Sequence, residues 1–127
     1  MKEKILVIDD SSTNVVLLNA VLLQYGYEVI TAFSAKEAFR LLEKESPDLI
    51  LLDLLMPEIS GFDFLGEIKK KKKLKNIPVV IVSAVGSKEN VSLTQELGAV
   101  SFINKPVNIE ELLNTVSGLL RGQDVKN

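Results

Sequence analysis

The chain has 127 residues, the size of one domain, and no cysteine, so a disulfide framework and thiol chemistry are excluded. It also lacks histidine, which removes the imidazole as base, metal ligand or phosphoryl carrier. A formal charge of -2 argues against a nucleic-acid binder. A composition of 46% hydrophobic and 25% charged residues suits a globular domain that buries roughly two-thirds of its unfolded surface.

The chain opens on Met1-Lys2-Glu3-Lys4, leads straight into an apolar run and has no signal-peptide pattern. That run, Ile5 to Ile8, reads as a strand ending in Asp9-Asp10. A helix is expected from about Thr13 to Tyr25, stopped by Gly26 as the residue past its end. Its core stripe is assigned to Leu17, Leu18, Val21 and Leu22, which leaves Val15, Val16 and Leu23 over. Val16, Ala20 and Leu23 then share a track turned away from the sheet.

The second strand is Val29 to Ala32, and Ser34-Ala35-Lys36-Glu37 has the capping-box spacing that opens a second helix. Leu49 to Leu52 and Val79 to Val82 are apolar without alternation, as in strands covered on both faces of a parallel sheet. A third helix begins after Gly61 and ends in the run Lys69 to Lys73, read as a solvated helix end favoured by the dipole. A fourth is capped by Ser87 and ended by Gly98. After a fifth strand, Ser101 to Ile103, the last helix starts at Asn108 and runs to about Leu120. Residues 3–121 form the expected domain, and 122–127 a polar C-terminal tail. No stretch approaches the apolar length needed to span a bilayer, and a cytoplasmic protein is expected.

This alternation predicts an α/β fold: a doubly wound, five-stranded parallel sheet of order 2-1-3-4-5, flavodoxin-like (βα)5. In such a sheet the carboxyl ends of the strands share one edge, where ligands bind. Asp9, Asp10 and Asp53 are therefore expected to converge there, with Ser83 and Lys105 on the flank. Taken singly, each has a plain alternative: Asp9 or Asp10 caps a helix, Ser83 is a turn residue and Lys105 a solvated lysine. Asp53 is harder to dismiss, because it sits between a buried run and Leu54-Leu55-Met56, where an unpaired carboxylate is costly. Three clustered carboxylates need a cation, and all-oxygen ligands suit Mg2+. A carboxylate nucleophile, a hydroxyl and an ammonium then fit phosphoryl transfer onto the carboxylate.

With Ile8-Asp9-Asp10, Asp53-Leu54-Leu55-Met56-Pro57 and Gly61, Val82-Ser83-Ala84, Gly98-Ala99 and Lys105-Pro106 in this order, the chain resembles the response-regulator receiver family, also called CheY-like, over about residues 3–121. The resemblance implies that Asp53 is the phosphoacceptor. It implies that Asp10, Asp53 and the Leu55 backbone carbonyl ligate Mg2+, with Asp9 acting through water. Ser83 and Lys105 would contact the phosphoryl oxygens, Ser83 and Phe102 would form the switch, and the Lys105–Pro106 bond would be cis.

The implied role is a signalling module with no enzymatic activity beyond its own phosphorylation and dephosphorylation. Its donor would be a sensor histidine kinase or histidine phosphotransfer protein, and its readout a further protein. No direct nucleic-acid or membrane partner is expected. Val15, Val16 and Leu23 of the first helix are assigned to partner docking or a homodimer seam. Leu55 and Val85, apolar where the family tunes hydrolysis, imply slow dephosphorylation. Two alternatives stand beside this reading: a receiver portion of a larger protein, and a phosphatase or FMN protein on the same fold.

Overall fold

The computed structural model describes residues 2–125, with side chains described through residue 121. Its elements alternate as β1 (Lys4–Ile8), α1 (Ser12–Gln24), β2 (Glu28–Ala32), α2 (Ala35–Leu42), β3 (Leu49–Leu52), α3 (Gly61–Lys69), β4 (Val79–Ser83), α4 (Lys88–Glu96), β5 (Ser101–Asn104) and α5 (Ile109–Val125). The strands form one parallel sheet of order β2-β1-β3-β4-β5. This is the expected doubly wound topology, and each strand lies within one residue of its expected bounds at either end.

Period-two alternation divides the strands' apolar residues between two cores. Ile5, Val7, Leu49, Leu51, Val80 and Val82 face α1 and α5, meeting Leu18, Leu22, Leu112 and Val116. Leu6, Ile8, Ile50, Leu52, Val79 and Ile81 face the other layer, meeting Ala38, Phe64, Leu65 and Ile68. Burial on both faces explains why β3 and β4 carry no polar alternation.

The helix caps follow the expected chemistry. Ser34 Oγ accepts from Glu37 N at 3.1 Å, and Glu37 Oε1 accepts from Phe33 N at 2.8 Å. Ser60 and Ser87 cap α3 and α4, and Asn108 Oδ1 accepts from Glu111 N at the start of α5. Gly26 and Gly98 have φ values of +91° and +109°, the left-handed conformation that a glycine past a helix end tolerates.

Three expectations are corrected. Val15 was assigned to the outward face of α1, but it is buried with Leu18 and Leu22, and Leu17 points outward instead. Residues 15 to 18 and 20 to 23 are all apolar, so the sequence carries little phase information, and the sheet selects the i, i+3, i+7 stripe. Lys69 was read as part of a solvated run, yet its Nζ donates to the Lys75 and Ile77 carbonyls, both at 3.0 Å. The last helix continues to Val125, beyond the expected end near Leu120 and into the segment read as a tail. Backbone hydrogen bonding continues there without apolar periodicity to announce it. Residues 126 and 127 of that tail lie outside the described residues.

Candidate phosphoacceptor site

β1 and β3 are neighbours in register, with Ile8 opposite Leu52, so the residues that follow them leave the sheet side by side. Asp9 and Asp53 are both buried, while Asp10 is exposed. Each of the three offers a carboxylate oxygen, and these oxygens all lie within 4.8 Å of one another. Asp53 N donates to the Ile8 carbonyl at 3.0 Å, which ties the start of its loop to β1.

Lys105 reaches this cluster from the end of β5. Its Nζ lies 2.9 Å from Asp9 Oδ2 and 3.4 Å from Asp53 Oδ2. The cis bond expected between Lys105 and Pro106 is present. Asp9 also accepts from Ser11 N through its other oxygen at 2.9 Å. It is thus held by both the loop after its own strand and a distant lysine.

Electrostatics separate the members of the cluster. Burial pushes the Asp53 carboxyl above the ordinary aspartate range, the charge of Asp9 adds to that, and Lys105 opposes it. Burial alone would lower the Lys105 ammonium, but its hydrogen bond to Asp9 and the charges of Asp53 and Asp9 outweigh burial and raise it. One ammonium therefore pairs with two carboxylates of a cluster of three, and the remaining negative charge with its all-oxygen donors suits a hard divalent cation.

The loops around Asp53 are held closely. Gly61 N donates to the Leu54 carbonyl at 2.9 Å, and a Cβ on Gly61 would collide with the Asp53 carbonyl oxygen. Only glycine lets the start of α3 approach the backbone of Asp53 this closely. Leu55 N points back to Asp53 Oδ1 at 3.4 Å, while the Leu55 side chain is exposed. Ser83 is buried at the end of β4, where its Oγ accepts from Val85 N at 3.4 Å. Its carbonyl accepts from Lys105 N at 3.0 Å, and among the described residues its hydroxyl makes no hydrogen bond to Asp53 or to the Lys105 amine. Phe102 is half-buried against the α2–α4 side of the sheet, and Val85 packs on the same cluster.

Gly86 was not singled out in the sequence, yet it has a defined place. A Cβ there would collide with the Asn104 side chain and lie 3.3 Å from Phe102 Cε1. The β4–α4 loop is thus packed against β5, and Asn90 Nδ2 holds it by donating to the Val85 carbonyl at 2.8 Å. The available signal was a glycine soon after a strand that carries site residues. Val16 and Leu23 are exposed on α1, as expected, joined by Leu17 in place of Val15.

Residues 5–117 match the response regulator receiver domain family. The chain is 37% identical over 123 residues to a probable cyclic di-GMP phosphodiesterase of Vibrio cholerae, covering 97% of this chain and 28% of that protein. It is 33% identical over 119 residues to protein PilH of Pseudomonas aeruginosa, covering 94% of this chain and 98% of that protein. Among solved structures, chemotaxis protein CheY4 of Vibrio cholerae superposes with a TM-score of 0.89 at 30% identity, covering 94% of this chain and 99% of that one. Fold and family match together define a two-component signalling module. The chain belongs to the response regulator receiver family. Among the described residues no helix is long and apolar enough to cross a membrane.

Proposed function

We propose that Asp53 accepts a phosphoryl group from a phosphohistidine on a sensor histidine kinase or histidine phosphotransfer protein. The observation that carries this reading is the buried Asp53 carboxylate, gathered with Asp9 and Asp10 and faced by Lys105 at 3.4 Å. A carboxylate oxygen of Asp53 forms the bond to phosphorus as the phosphorus–nitrogen bond to the donor imidazole breaks. The bonding pair stays on the imidazole nitrogen, which then takes a proton from solvent. Such transfer depends mainly on positioning and charge stabilisation.

The donor set supports Mg2+ as the cofactor, held by Asp10, Asp53 and the Leu55 carbonyl, with Asp9 acting through water. When bound, the ion would neutralise charge on the phosphoryl oxygens. Lys105 contributes a second cation, and in this reading it turns from the carboxylates toward the arriving group. Ser83 donates its hydroxyl to the same group and, with Phe102, forms the switch that another protein reads. The only catalysis in this reading is the module's own phosphorylation and dephosphorylation. Dephosphorylation is slow, because Leu55 and Val85 offer no hydrogen bond to an attacking water.

Kinase docking is assigned to Val16 and Leu23, with Leu17 beside them, and the same face would serve a homodimer. Val15 has no part in it. The module acts in the cytoplasm, free or as part of a larger protein. Incubation with acetyl phosphate and Mg2+ should give one acid-labile phosphoryl adduct by intact mass. Asp53→Asn should remove the adduct, and chelation of the metal should suppress it. An adduct that persists in Asp53→Asn would overturn the assignment.

A further inference from the structure

α2 leaves the carboxyl end of β2 and α3 leaves that of β3, so the two helices end at the opposite edge of the sheet from Asp53. Between them lies a groove of about 770 Å3 whose apolar lining comes from Phe39, Leu42 and Leu74. Five cations border it: Lys36 and Arg40 from α2, and Lys71, Lys72 and Lys73 from the segment after α3. The carboxylates on its wall are Glu43 and Glu67, and Glu67 already lies 3.6 Å from Lys70. Among the described residues none of the five cations has a carboxylate partner within 4 Å.

The local charge thus has the opposite sign to the chain's net -2. Unpaired like charges around an apolar floor repel one another, and a partner's carboxylates would relieve that repulsion. We infer that this groove docks an acidic segment of a second protein, with its apolar side chains on Phe39, Leu42 and Leu74 and its carboxylates against Arg40, Lys71 and Lys72. The concave shape suits a helix laid apolar face down, whereas a bilayer presents a flat surface. A nucleic acid finds Glu43 and Glu67 opposing its phosphates. It also finds one aromatic ring in the lining, Phe39, which already packs on Phe64 with ring centroids 4.7 Å apart. The inference makes no use of Asp53 chemistry and stands apart from the phosphoacceptor reading.

The test is a titration of the 15N-labelled chain with a synthetic helical peptide of glutamates carrying leucines at i, i+3 and i+7. The expected result is saturable amide shifts confined to α2 and residues 67–75. Affinity should fall about tenfold or more in the triple variant Arg40→Glu, Lys71→Glu, Lys72→Glu. Thermal midpoint and acetyl-phosphate labelling of Asp53 should be unchanged in that variant. Should the triple variant fold poorly, Lys36→Gln with Lys73→Gln should still weaken binding by about threefold. Four results each overturn the proposal: no saturation, unchanged affinity in a folded charge variant, equal binding of a peptide with alanine in place of leucine, and tighter binding of a DNA duplex or phosphatidylserine vesicles to the same residues. Shifts at these residues that grow with protein concentration and without peptide would assign the groove to a second copy of this chain, and would overturn it as well.

Discussion

Two lysines, at opposite edges of the sheet, show how one side chain serves two purposes. Lys105 extends into the carboxylate cluster, and Lys69 folds under the end of α3 to the chain entering β4. Both amines are withdrawn from water, and burial alone would depress both. Lys69 meets only neutral carbonyls, so its ammonium is held below the ordinary lysine range. Lys105 meets two carboxylates, which outweigh burial and hold it above that range. Two carbonyls give a tie that closes a loop, while two carboxylates fix a positive charge beside the proposed phosphoacceptor.

Substitution should separate the two roles most strongly at Lys105. Lys105→Met removes the cation facing Asp53 and should slow labelling by acetyl phosphate about a hundredfold, the scale seen when one charge-stabilising donor is lost. Lys69→Met should leave that rate within about twofold, because it touches no carboxylate. Equal rates in wild type and Lys105→Met would break the comparison.

Next in size is the effect of Lys69 on stability. Lys69→Ala leaves the Lys75 and Ile77 carbonyls without their donor and removes the methylenes that pack near Gly98. A loss of about 1–3 kcal/mol is expected, a drop of several degrees in the thermal midpoint. Lys70→Ala, one residue on and exposed, should change it by less than about 0.5 kcal/mol. Matching melting curves for the two variants would show that the Lys69 tie carries no stability.

Much of this contrast could be read in the sequence, but unevenly. β3 and β4 announced themselves because a strand buried on both faces has no polar positions. Once the strand order followed, the placement of Asp9, Asp10, Asp53 and Lys105 on one edge required only chain topology. Three things were hidden for separate physical reasons. α1 is apolar on most of its circumference, so Val15 and Leu17 could not be told apart until the sheet chose a face. Lys69 opens a run of five identical residues, and only the path of residues 74–78 singles it out. The pairing of Asp9 with Lys105 joins residues 96 apart, and residue type alone does not say which of the three carboxylates the amine prefers.

The smallest expected effect concerns the charge at Asp53 itself. Burial and Asp9 raise its folded-state pKa above the ordinary aspartate range, and Lys105 offsets this only in part. A carboxyl raised in this way contributes stability below its unfolded pKa, where it is protonated in both states, and loses that contribution as pH rises through the folded pKa. At neutral pH without metal, the ionised Asp53 is therefore a cost to the fold. Asp53→Asn removes the charge and should raise the thermal midpoint by a few degrees in chelator at pH 7, on the order of 1 kcal/mol. The gain should shrink as pH falls, because wild-type Asp53 then takes up a proton of its own. Millimolar Mg2+ should stabilise the wild type and narrow the gap from the other side, since an ion that binds the native state adds its binding free energy to folding. Lys105→Met in the same chelator should widen the gap between Asp and Asn at position 53, because the cation that offsets the buried charge is gone. A midpoint for Asp53→Asn at or below wild type in chelator at pH 7 would show that Lys105 pairs the buried carboxylates completely.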